Sequence, residues 1–273
     1  MLADVTFGQY YPTESFVHKM DSRIKLLLLI AYIVLIFVVE NFYGFLVACA
    51  FFLLAVAFSR VPLSSILRSM KGIIFLVLFT VILNLFFYQT ENPTVVFEWK
   101  FIKITQEALI FSAFMALRLI LLVLGSSILT LTTTPVALTD GIESLLKPLK
   151  VIKFPVHELA LIMSIALRFI PILMSETDRI MMAQKARGAD FDSGNVFSRA
   201  KAMIPVLIPL LISAFRRADE LGDAMDARCY SGSKNRTKYK KLTLSWRDLV
   251  GFIVTAVAVA GVVLLNAYVG VVI

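Results

Sequence analysis

Hydrophobic positions in this chain come in long unbroken runs, not in the strict alternation of a half-buried strand. Runs suited to a bilayer occupy residues 24–39, 43–58, 72–88, 108–131 and 249–273. The first three fall somewhat short of the roughly 20 residues a spanning helix takes, and flanking residues can extend them. The pattern predicts an all-α polytopic membrane protein with about five transmembrane helices. The first twenty residues hold Asp4, Glu14, His18 and Lys19 and no continuous apolar core. The sequence therefore predicts no cleavable signal peptide, and insertion rests on the mature helices.

Between the fourth and last runs lies a different pattern. Over residues 132–248, apolar positions recur with helical spacing among many charges, predicting a short helix at 136–149 and two long ones at 157–187 and 196–228. Thr134-Pro135 and Pro148 bound the short helix, and the turn-rich stretch Gly188-Ala189-Asp190-Phe191-Asp192-Ser193-Gly194-Asn195 separates the long pair. At 1.5 Å per residue the long helices extend roughly 46 and 50 Å. Three domains follow: a four-span membrane domain over 1–131, a helical domain over 132–248 and a last span over 249–273.

Composition agrees with a membrane protein, and charge orients it. Hydrophobic residues make up 59% of the chain, mean hydropathy is +0.85, and only 17% of residues are charged, against about 25% in soluble domains. An ordinary soluble enzyme is excluded. With the N-terminus inside, every Lys and Arg falls on the cytoplasmic side except Lys100, Lys103 and Arg118. Such an asymmetry predicts a cytoplasmic N-terminus, a cytoplasmic 132–248 segment and an outer C-terminus. Hydropathy alone also allows spans at 159–173 and 202–215. Those would carry Arg179, Lys185, Arg187, Arg199 and Lys201 to the outer face; Arg168 interrupts the first run, Pro205 and Pro209 the second, and both runs are short. They read instead as apolar helices at the membrane interface, covered by protein and lipid.

The long helices end on a near-repeat. Asp178, Ala183, Ala186 and Arg187 recur 41 residues later as Asp219, Ala224, Ala227 and Arg228. One copy is ordinary helix-end chemistry, since an arginine suits the negative end of the dipole and Gly188 is a left-handed stop. Two copies in phase point further. Small residues ahead of a single cation make a slim tip that enters a groove where a bulky one could not, and two tips imply two similar grooves in a paired partner.

No catalytic chemistry is visible. The chain lacks the G-x-x-x-x-G-K-[ST] phosphate loop, and no cofactor is predicted. His18 and His157 lack metal-ligand spacing and read as polar interface residues. Cys49 and Cys229 form no framework. Arg118 is costly inside a span and needs a protein or water partner; Glu107 is about 16 Å away along the helix, and Asn84 is the expected partner.

The chain resembles the transmembrane coupling subunit, or T component, of energy-coupling factor (ECF) transporters. The likeness spans nearly the whole length and rests on Gly8-Gln9-Tyr10-Tyr11-Pro12, Ser15, His18, Asp21-Ser22-Arg23-Ile24-Lys25-Leu26, Ala166-Leu167-Arg168-Phe169-Ile170-Pro171 and the two arginine tips. Ser22 departs from the common Pro, and Cys229 from the common Gly, which moves the expected helix stop toward Ser231-Gly232. The resemblance implies three cytoplasmic coupling helices, the last two crossing as an X. Their tips, Ala186-Arg187-Gly188 and Ala227-Arg228-Cys229, would dock into two ABC-type ATPases that hydrolyse ATP on the chain's behalf. The apolar faces, including Arg168, Pro171, Pro205, Leu207, Pro209 and Leu211, would hold a substrate-binding S component in the prokaryotic plasma membrane. The implied function is vitamin import, with related cobalt and nickel importers as the neighbouring class.

Two other classes fit less well. A self-sufficient secondary transporter needs broken helices and several mid-membrane charges, where only Arg118 qualifies. A membrane-anchored signalling or assembly protein would use the cluster Lys234–Lys241 as a patch for anionic lipid or nucleic acid. That cluster reads more simply as a solvated positive-inside flank, and no nucleic-acid partner is expected.

Overall fold

A computed structural model describes residues 10–87, 95–99, 102–191, 193, 195–232 and 243–269. Gly8 and Gln9 of the N-terminal block, Tyr88, Lys100, Asp192, Gly194, the Lys234–Lys241 cluster and residues 270–273 lie outside the described residues. The chain forms two compact units, one from residues 8–141 together with 242–273, the other from residues 142–241.

The first unit is a helical bundle. It contains α1 (Ser22–Val38), α2 (Phe42–Ser59), α3 (Leu63–Met70), α4 (Ile74–Phe87), an antiparallel hairpin of β1 (Val95–Trp99) and β2 (Ile102–Thr105), α5 (Gln106–Thr132), most of α6 (Pro135–Leu145) and α9 (Trp246–Val269). Caps fix where these helices start: Asp21 accepts from the Arg23 N–H, Asn41 from Gly44 and Thr105 from Ala108, each satisfying an otherwise orphaned donor. The core lies among α1, α2, α5 and α9, with Leu35, Ile36, Phe45, Ala48, Leu121 and Val262 almost fully buried. Gly125 permits the closest approach. A Cβ there would collide with the Tyr32 ring, whose hydroxyl donates to the Leu121 carbonyl at 3.0 Å.

The second unit holds a 3-10 turn (Lys147–Ile152), α7 (Val156–Ala186) and α8 (Val196–Ala227). α7 and α8 run 31 and 32 residues despite Pro171 in the first and Pro205 and Pro209 in the second.

Several expectations change. The run at 72–88 is a 14-residue helix, α4, bent 55° from α3 ahead of it. Neither α3 nor the hairpin was anticipated, because a short amphipathic helix and a single alternating turn of strand are weak signals beside apolar runs. Among the described residues, five helices are long and apolar enough to cross a membrane: α2, α5, α7, α8 and α9, or six if α3 and α4 form one span. This set is not the one the runs suggested. α1 has 17 residues, while α7 and α8 continue well past the apolar runs at 159–173 and 202–215. Length therefore does not exclude α7 and α8 from spanning, and only the charge map separates them from the others.

Candidate functional site

The near-repeat of the sequence is a repeat of backbone geometry. Arg187 and Arg228 are the C-cap residues of α7 and α8, with φ and ψ of −88° and 6° in one and −92° and 12° in the other. After Arg187, the Gly188 N–H donates to the Lys185 carbonyl and the Ala189 N–H to Gln184, both at 3.0 Å. After Arg228, the Cys229 N–H donates to Asp226 at 2.9 Å and the Tyr230 N–H to Met225 at 3.0 Å. Both ends are thus Schellman motifs. The stop expected near Ser231-Gly232 is corrected: the helix ends at Ala227, and Cys229 itself turns left-handed at φ 55°, where Gly188 has 87°. A side chain in that region costs roughly 1–2 kcal/mol, which the hydrogen-bonded cap sustains.

Each tip is bare. Ala183, Ala186, Arg187 and Gly188 are exposed, as are Ala224, Ala227, Arg228 and Cys229. Positions i, i+3 and i+4 share one helix face, so each arginine extends a narrow strip of methyl groups.

Two polar ties set the relation between the helices. Arg217 Nη2 lies 3.6 Å from Glu176 Oε2, and Gln184 Nε2 donates to the Pro205 carbonyl at 3.4 Å. That carbonyl is free because residue 209, which would donate to it in a regular helix, is a proline. The ties advance along α7 while receding along α8, so the helices run antiparallel through this stretch and the two arginines point to opposite ends of the pair.

The same helices carry an apolar face. Leu207, Ile208, Leu211, Ile212 and Phe215 of α8 are each more than half exposed, at the i, i+3, i+4 spacing of one stripe. Pro205 and Pro209 are exposed within the same stretch, as are Arg168 and Pro171 one turn apart on α7.

In the first unit the N-terminal block forms a polar knot. Asp248, 3% exposed, accepts from the Ser245 N–H at 2.7 Å with one carboxylate oxygen and from the Asp21 N–H at 2.9 Å with the other. It caps α9 and holds the start of α1 at once. Lys25, 7% exposed, donates to the Thr132 carbonyl at 2.9 Å and to Thr133 Oγ1 at 3.3 Å, tying α1 to the end of α5. His18 arranges the loop ahead of α1: its Nδ1 meets Ser15 Oγ at 2.7 Å and its Nε2 the Tyr11 carbonyl at 2.9 Å. Burial holds its pKa below the ordinary histidine value. The neutral ring fits this pattern, with Nε2–H donating and Nδ1 accepting. His157 Nδ1 lies 3.5 Å from Glu143 Oε1 in the second unit, and no metal-holding group of His, Cys, Asp or Glu occurs among the described residues.

Arg118 does not pair with Asn84. Its Nη2 donates to the Val39 carbonyl at 2.7 Å and its guanidinium lies 5.9 Å from the Phe45 ring centroid. Asn266 donates to the adjacent Val38 carbonyl at 2.6 Å, and Asn41 donates to Leu265 and Asn266. Orphaned carbonyls at the end of α1 are thus the partner that the sequence reading lacked.

Residues 13–239 match the CbiQ family model, described as a cobalt transport protein. The chain is 52% identical over 259 residues to the energy-coupling factor transporter transmembrane protein EcfT of Clostridium kluyveri, covering 95% of this chain and 96% of that one. It is 49% identical over 266 residues to EcfT of Ruminiclostridium cellulolyticum (97% and 98% covered) and 45% over 259 residues to EcfT of Bacillus subtilis (94% and 97% covered).

Proposed function

The chain belongs to the CbiQ family and, within it, to the transmembrane proteins of energy-coupling factor transporters, and from that premise we propose that it couples ATP-driven motion of two ABC-type ATPases to a substrate-binding S component during vitamin import. It is a multi-pass membrane protein and a transporter component. The coupling role rests on one observation above others, the two exposed, identically capped arginine tips 41 residues apart in sequence. Residues 132–248 form the coupling domain in this reading. Ala186, Arg187, Gly188, Ala227, Arg228 and Cys229 engage the ATPases, and the stripe with Pro205, Leu207, Pro209 and Leu211, together with Arg168 and Pro171, meets the S component and lipid.

Tagged full-length protein purified from its native host should retain two ATPases and an S component. Leu207→Glu or Leu211→Glu should release the S component, and Leu211→Glu should leave the ATPases bound, since Leu211 lies 17 residues before Arg228 on α8 and further than Leu207 from the tie of Gln184 to Pro205 that adjoins Arg187. Equal loss of both partners would refute separate surfaces. The family description favours a second reading as a metal-importer subunit; uptake assays with a cobalt salt and with vitamins separate the two.

The positive-inside distribution supports a cytoplasmic N-terminus and cytoplasmic tips. In a Cys49→Ala, Cys229→Gly background, cysteines introduced at Ser193 or Ser231 should resist an impermeant thiol reagent in intact cells and react after lysis. Labelling from outside would overturn this orientation.

A further inference from the structure

A lateral crevice of about 410 Å³ opens among α1, α2, α5 and α9. Its lining is apolar almost throughout, with Leu28, Phe51, Ala55, Leu129 and Val254 among its walls. Toward the end of the bundle where α1 and α9 begin, it adjoins a second, polar hollow of about 520 Å³. Phe16, Phe58 and Trp246 line both, and their rings touch in series, Phe16 lying 5.8 Å from Phe58 and 5.5 Å from Trp246. The polar hollow is lined by Lys19, Arg60 and Arg247 against the single carboxylate of Glu14.

That carboxylate pairs with Lys19 at 2.6 Å. Arg60 and Arg247 have no ion-pair partner among the described residues. Arg60 also holds a left-handed backbone, φ 53°, at the end of α2, a position where glycine is the easier residue. Left-handed residues of this kind close many helices, and this one sets its cation on the wall of the hollow.

Depth and width select the occupant. Along α9 the crevice reaches from Trp246 to Thr255, about 13 Å at helical rise, close to half of a roughly 30 Å hydrocarbon core. It is thus as deep as one leaflet. A helix about 10 Å across would displace on the order of 1,000 Å³ over that length, far more than the crevice holds. A single acyl chain fits, and the basic hollow lies where its headgroup would be.

We propose that this crevice and hollow form one site for an anionic phospholipid, its acyl chain among α1, α2, α5 and α9 and its phosphate between Arg60, Arg247 and Lys19. Basic pockets between membrane helices bind anionic headgroups in this way, each cation contributing roughly a fivefold preference. The site is independent of the arginine tips and of the partners assigned to them.

The full-length protein in detergent, titrated with phosphatidylglycerol or phosphatidylcholine of equal chain length and read by native mass spectrometry, tests this. The wild type should retain phosphatidylglycerol at least about fivefold better than phosphatidylcholine. Arg60→Ala with Arg247→Ala should erase the preference, Arg60→Lys with Arg247→Lys should restore most of it, and Ala55→Phe should block the crevice and lower retention of both lipids. Equal retention of the two lipids by the wild type, or an unchanged preference in the double alanine variant, overturns the proposal. So does binding that is competed by inorganic phosphate and indifferent to Ala55→Phe, which would mark a site for free phosphate. Thermal melts of each variant within a few degrees of wild type confirm that the comparison concerns intact protein.

Discussion

Substituting Arg187 and Arg228 together with alanine is expected to remove most transport while leaving part of the complex assembled. Each arginine stands at a C-cap with two exposed alanines beside it, so none of the described residues covers the tip. A charge-assisted bond from a guanidinium to carboxylates or carbonyls in a groove contributes roughly 1.5–3 kcal/mol. Loss of both should therefore weaken assembly by several kcal/mol at most, and uptake should fall more steeply, since the proposed coupling needs both tips engaged. Lysine should restore charge without the planar fork and rescue incompletely. If the arginines only complement helix dipoles, each contributes about 0.3–1 kcal/mol of local stability, and uptake and ATPase retention in the double variant would match wild type. That result would refute the coupling role.

Asp248→Ala is expected to be strongly destabilising to the first unit. Its carboxylate takes the N–H groups of Ser245 and Asp21 together and lies buried near the ammonium of Lys25. Removal leaves the two N–H donors without their acceptor, a loss of about 1–3 kcal/mol for each buried group. Asp248→Asn keeps an acceptor without the charge and should fall between. Asp226→Ala, at an exposed position, should stay within about 0.5 kcal/mol. Thermal unfolding in detergent measures all three, and a wild-type melting temperature for Asp248→Ala would show that the knot contributes nothing.

What the sequence made legible follows from range. α7 and α8 could be placed to within a residue or two, because their apolar spacing, Gly188 and the repeat are local signals. The knot could not, since Asp21 and Asp248 stand 227 residues apart and Lys25 and Thr132 107 apart. One local trace of it was available: Ser245-Trp246-Arg247-Asp248 has the capping-box spacing. Arg118 was misassigned for a different reason. Polar side chains in the spans point to Asn84, but the acceptor is the backbone carbonyl of Val39, which no residue type marks. Cys229 was judged by what commonly stands there, whereas hydrogen bonds to Asp226 and Met225 hold its turn. The lipid-sized crevice is a space between four helices and has no counterpart in any linear pattern.

The two polar ties between α7 and α8 stand at unequal distances from the two tips. Gln184 is fastened three residues before Arg187, about 4.5 Å at helical rise, whereas Arg217 is fastened eleven residues before Arg228, about 16 Å. One end is a short stub and the other a cantilever. A bend of about ten degrees at the respective tie displaces Arg187 by under about 1 Å but Arg228 by about 3 Å. Equal pushes at the two ends would therefore arrive differently: the stub passes a push directly into the crossing, and the cantilever absorbs part of it as deflection. Under the proposed coupling, two chemically matched tips are in this way mechanically unlike, one stiff and one compliant.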